Sequence, residues 1–128
     1  MYSLKFIFDV LDTDDYDIVW NAFFVESISK GVFLLNKNES WNLIWVHNKY
    51  FRTELLKGIG LRFNEELHFS EASAFLSILN VLVEPERIGT IKSPFPLYTW
   101  CYREGSATTN PKYRLRNMID QTKRNEYV

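Results

Sequence analysis

Cysteine is nearly missing from this chain: Cys101 is the only one among 128 residues. That rules out a disulfide framework within one chain and any zinc set that needs several thiolates. Cys101 lies between Trp100 and Tyr102 with no activating base in view, so a buried, inert thiol is expected. Histidine is almost as scarce, with only His47 and His68, and no Ser–His–Asp or acid–base pair can be placed around them. The five glycines and four prolines form no low-complexity linker, and no internal repeat divides the chain. Apolar runs are short, far below the ~20 residues of a spanning helix, so no membrane association is expected. The first residues lack a basic segment followed by an apolar stretch and a cleavage site. With a single cysteine, this points to a cytoplasmic protein. Neither sign of charge dominates. Fifteen Lys and Arg against sixteen Asp and Glu leave a formal net charge of −1, and whole-molecule electrostatics do not favour a polyanion.

What the chain does have is aromatic rings. Ten Phe, seven Tyr and four Trp make 16% of the residues. Such usage calls for either a strongly aromatic core or an aromatic binding surface.

The stretch 2–30 organises the reading. Leu4, Phe6, Phe8 and Val10 alternate with Ser3, Lys5, Ile7 and Asp9, which predicts a strand over 2–11. The run Asp12-Thr13-Asp14-Asp15 supplies N-caps and first-turn carboxylates for a helix over 14–29, closed by Gly31. On that helix Ile18, Ala22 and Val25 form one stripe, and Tyr16, Trp20 and Phe24 form a second. The runs 32–35 and 41–47, separated by five turn-type residues, read as a hairpin. Asn48 can cap a short helix ending at Gly58 or Gly60. Residues 61–63 and 67–69 read as short strands. The clearest helix spans 70–83, capped by Ser70 and stopped by Pro85. A loop follows over 86–96, then a strand over 97–103. Pro111 opens a last helix over about 111–125. Its apolar seam is Leu115, Met118, Ile119 and Thr122, Asp120 sits i,i+4 to Arg124, and the last residues are frayed. The expected fold is a single α+β domain over 1–128. A mixed or antiparallel sheet of about four to six strands carries helices mainly on one face.

Two constellations bear on function. The first is an acidic corner of Asp9, Asp12, Asp14, Asp15 and Asp17. Helix capping and a solvated face account for most such clusters. A Mg²⁺ site for phosphoryl transfer or nuclease chemistry is the alternative, although the spacing fails the calcium-loop pattern. A third reading makes it a patch that meets a basic partner. There Asp12, Asp14, Asp15 and Asp17 steer, and Tyr16, Trp20 and Phe24 anchor. The second constellation is basic: Lys112, Arg114, Arg116, Lys123 and Arg124 on the last helix. They could touch phosphates, but a solvated basic side is the commoner outcome. The aromatic faces Trp41/Trp45 and Tyr98/Trp100/Tyr102 could stack bases, with core packing as the simpler explanation.

No cofactor and no metal is expected. The function these features favour is a non-catalytic protein-binding module, most concretely a small immunity or inhibitor protein that occludes a basic, nuclease-type toxin or enzyme. A metal-dependent phosphoryl-transfer enzyme on the Asp cluster, or a nucleic-acid-binding regulator on the last helix, are the alternatives.

Overall fold

A computed structural model describes residues 2–35, 43–91, 98–106 and 110–127, with side chains from residue 5 onward except 33–35 and 127. The chain opens with helix α1, Tyr2–Thr13, where the alternation predicted a strand. The buried pair is Ile7 and Leu11, four residues apart on one helical face. Phe6 and Phe8, expected to face the core, are exposed. Lys5 and Asp9 add an i,i+4 ion pair of 2.7 Å on the outer side, and Gly and Pro are absent from the segment.

The helix expected over 14–29 is instead three strands: β1 (Ile18–Trp20), β2 (Phe23–Ser27) and β3 (Gly31–Leu35). Ile-Val-Trp and Phe-Phe-Val are β-branched and aromatic triplets broken by Asn21 and Ala22. Such residues pack well on a pleated surface. Gly31, with φ 67°, serves the β2–β3 turn rather than a helix end. β1 is the centre of a sheet ordered β4-β1-β5, antiparallel to β4 (Lys49–Phe51) and parallel to β5 (Ile88–Thr90). β2 is the centre of a second sheet ordered β3-β2-β6, antiparallel to β3 and parallel to β6 (Thr99–Trp100). The α+β class stands, and the six strands among the described residues divide between two sheets of three.

β1 is buried throughout, and its successive side chains enter different cores, as a strand's alternation requires. Ile18 packs with Phe75, Leu76, Leu79 and Val83 of the α3 region. Val19 packs with Ile7 and Leu11 of α1 and with Ile91. The first sheet therefore carries a helix on each face. Helix α2 (Thr53–Ile59) follows β4 and ends at Gly60, φ 65°; Asn48 precedes β4 and caps no helix. Residues 61–69 hold no strand. Helix α3, Glu71–Leu82, matches the expected 70–83. Ser70 makes no side-chain cap, although its carbonyl accepts Ala74 N–H. The expected loop contains a 3₁₀ turn, Pro85–Arg87, and β5. Helix α4, Arg114–Tyr127, follows a 3₁₀ turn at Pro111–Tyr113 capped by the Asn110 side chain.

Parts of the expected hairpin (36–42), of the loop and final strand (92–97), and of the turn at 107–109 lie outside the described residues. Of the hairpin's second arm, 43–47 forms bends and turns, and β3 pairs with β2 instead. Among the described residues no helix is long and apolar enough to cross a membrane.

Candidate functional site

The turn after α1 brings the acidic corner together. Asp15 takes φ 56°, which swings the chain from the helix end into β1. Asp17 N–H donates to Arg87 O at 2.9 Å, and Arg52 N–H donates to Asp17 O at 2.8 Å. The corner is thereby stitched to the starts of β5 and α2. Arg87 grips Asp17 through Nε and Nη2, both at 2.9 Å, and reaches Asp15 through Nη1 at 2.5 Å. Such bidentate guanidinium–carboxylate contacts are charge-assisted and direction-specific. The hydrogen bonds that Arg87 donates to Asp17 and then to Asp15 raise its pKa above the ordinary value. Arg52 donates to Leu11 O at 2.6 Å and to Tyr16 O at 2.9 Å. Its cation thus sits on the carbonyl end of α1, where the helix dipole favours it. It also lies 3.6 Å from both Asp12 and Asp17.

The predicted residues separate. Asp12, Asp14 and Asp15 are exposed, and Asp17 is half-buried. With the helix gone, Tyr16, Trp20 and Phe24 no longer form one row. Tyr16 is half-buried over Gly89, where a Cβ would overlap its ring. Trp20 is only 5% exposed at the end of β1. Phe24 is half-buried in β2, opposite Leu34 and Thr99. A buried Trp20 cannot be the anchor expected of it. An exposed ring near the carboxylates is Phe8, 60% exposed. Phe8 lies one helical turn before Asp12, so the two share a stripe. Sequence reasoning missed Phe8, Arg52 and Arg87. The i,i+4 spacing of Phe8 and Asp12 was the available signal.

The basic set also divides. Lys112, Arg114, Arg116 and Lys123 are exposed, and Arg124 is half-buried. Asp120, expected to support Arg124, is fully buried and turns elsewhere. Its Oδ2 accepts His68 N–H at 2.8 Å and Phe69 N–H at 3.0 Å. Oδ1 lies 3.2 Å from Arg116 Nε as an ion pair. Burial disfavours the charged carboxyl, but the two amides and Arg116 outweigh it, and its pKa falls below the ordinary value. Arg124 donates to Ser73 Oγ at 2.9 Å, joining α4 to α3.

Of the two expected ring faces, Trp45 and Tyr98 meet through His47 and Phe23, and Trp41 lies outside the described residues. His47 stacks on Tyr98 at 4.9 Å between centroids, and Phe23 stands edge-on to His47, Trp45 and Tyr98. Burial and then the Lys49 charge lower the His47 pKa to about 4; burial lowers that of Lys49 to about 8. The other histidine, His68, stands apart beside Asp120. Cys101 is exposed rather than buried, and its hydrogen bond to Glu26 raises the thiol pKa, so it is not activated. Among the described residues, no three His, Cys, Asp or Glu side chains group to hold a metal ion.

No family model, no curated protein and no solved structure gives a significant match to this chain.

Proposed function

We propose that this chain is a non-catalytic protein-binding module whose outer α1 surface and following turn meet a basic partner. The carrying observation is one corner where Asp12, Asp14 and Asp15 are exposed, with Phe8 exposed one helical turn before Asp12. Five carboxylates, of Asp9, Asp12, Asp14, Asp15 and Asp17, stand there against three cations, Lys5, Arg52 and Arg87. The corner is net negative although the chain is nearly neutral. Arg52 and Arg87 bind backbone and half-buried Asp17, which holds the surface rigid before contact. Local negative charge speeds encounter with a basic surface, and a ring beside it supplies desolvated contact area. In its most concrete form the module is an immunity-type inhibitor that covers the nucleic-acid site of a basic nuclease, acting by occlusion and charge.

Coexpression with proteins encoded beside it, followed by affinity measurement and a nuclease assay, tests the reading. Replacing Asp12 and Asp14 by Lys should slow association and reduce affinity at least about tenfold at low salt, with a smaller effect at high salt. Replacing Phe8 by Ser should chiefly speed dissociation. A neighbour that binds both variants as tightly as the native chain would remove this corner from the interface.

A further inference from the structure

We infer that a second site, built from none of the residues of the acidic corner, binds a phosphate monoester carried on a flat ring, a ligand of mononucleotide size. A cleft of about 560 Å³ lies between the segment before α3, the turn after β6 and the start of α4, lined by His68, Phe69, Arg103, Ser106, Tyr113 and Arg116. Its volume falls within the range of small-ligand sites. Two guanidinium side chains line it, and the buried carboxylate of Asp120 is the counter-charge held at Arg116.

Asp120 takes the Nε edge of Arg116. Its other oxygen is occupied by the His68 and Phe69 amides. Arg116 is thus held from beneath by a fully buried group, leaving its Nη edge as the fork that suits phosphate oxygens. Ser106 brings a hydroxyl to the same cleft. Phe69 and Tyr113 lie 6.0 Å apart at 49° and form an aromatic wall on which a base can pack. Paired cations next to a ring wall match an anion joined to a ring better than either part alone. The ligand is either a free nucleotide or the phosphorylated end of a single strand; both present the same group.

Calorimetric titration at low salt tests this with adenosine 5′-monophosphate, adenosine, inorganic phosphate, and a short oligonucleotide with and without a 5′-phosphate. The monophosphate should saturate the protein, with adenosine and inorganic phosphate each at least about tenfold weaker, since each lacks one half of the contacts. Equal binding by the 5′-phosphorylated oligonucleotide, lost without its phosphate, assigns a strand end; binding by the mononucleotide alone assigns a free nucleotide. Arg103→Ala and Tyr113→Leu should each weaken binding about tenfold in samples whose melting curves show them folded, and Arg116→Lys should weaken it while keeping the charge. The inference fails if no probe saturates at millimolar concentration, or if binding survives Arg103→Ala and Tyr113→Leu unchanged.

Discussion

α1 and α4 are both amphipathic helices, yet they lie on the protein in opposite senses. α1 buries its apolar stripe, Ile7 and Leu11, and presents Lys5, Asp9 and Asp12 to solvent. α4 does the reverse. Leu115, Met118 and Ile119 are 69%, 60% and 43% exposed, while Asp120 on the far side is fully buried. The hydrophobic effect accounts for α1. It does not account for α4, whose apolar seam stays largely in solvent in this arrangement. The orientation of α4 follows from polar needs: the amides of His68 and Phe69 require an acceptor, and Asp120 supplies it. Buried N–H groups without a partner are costly enough to turn a helix over.

The largest expected effect comes from removing that acceptor. Asp120→Ala leaves two amides and Arg116 without their carboxylate. Amide hydrogen exchange across α4 should accelerate by about a hundredfold, with a much smaller change in β1. If α4 stays protected, something other than Asp120 sets its orientation, and the contrast with α1 collapses. The matching change in α1 is Leu11→Ala, which should cost about 2–4 kcal/mol in denaturant unfolding, because it opens a cavity against Val19 and Ile91. It should destabilise the sheet and α1 together rather than one helix.

Acid separates the two regions further. The unfolded chain protonates His47 near its ordinary value of 6.5, whereas the folded chain resists protonation until about 4. Folding stability should therefore fall as pH drops across that window. The loss is about 1–2 kcal/mol, the full shift being discounted because the ring is only partly buried. His47→Phe keeps the stack on Tyr98 and should flatten this slope. His47 Nε2 makes no hydrogen bond among the described residues, so the substitution orphans nothing. Asp120 acts in a lower window. Its pKa is depressed in the fold, so its contribution is intact above the ordinary carboxylate range and disappears as pH falls through the lowered value. In the His47→Phe protein, exchange in α4 should therefore rise at a pH where α1 is still protected.

These contrasts explain which parts of the fold were legible. α3 was read to within a residue at each end, because its apolar period, its length and Pro85 agree. α4 was located correctly, and so was its apolar seam. Periodicity says which face is apolar and nothing about which face is covered, so Asp120 looked like a surface partner for Arg124. In the first 30 residues the two periods were exchanged. The row Leu4, Phe6, Phe8, Val10 matched a strand, yet Ile7 and Leu11 carry the burial. The triplets Ile18-Val19-Trp20 and Phe23-Phe24-Val25 fell by chance at helical spacings; they are too short for periodicity to separate strand from helix. The acidic corner was visible as composition. Its guanidinium partners, Arg52 and Arg87, come from 35 and 70 residues beyond Asp17, and only strand pairing brings them there.

The smallest expected effect is the most informative about α4. Leu115→Gln combined with Met118→Gln keeps helix propensity and removes the apolar seam. If the seam faces water, unfolding free energy should change by no more than about 0.5 kcal/mol, as at other surface positions. Two buried residues of that size would instead cost several kcal/mol. A loss above about 2 kcal/mol in denaturant titration would mean that the seam is covered in solution, by α4 rolling inward or by another chain. Repeating the titration over a range of protein concentrations separates those two, since only association makes stability depend on concentration. A change within the small limit leaves α4 as it stands, a helix oriented by the Asp120 carboxylate and the Arg124–Ser73 bond with its apolar side outward.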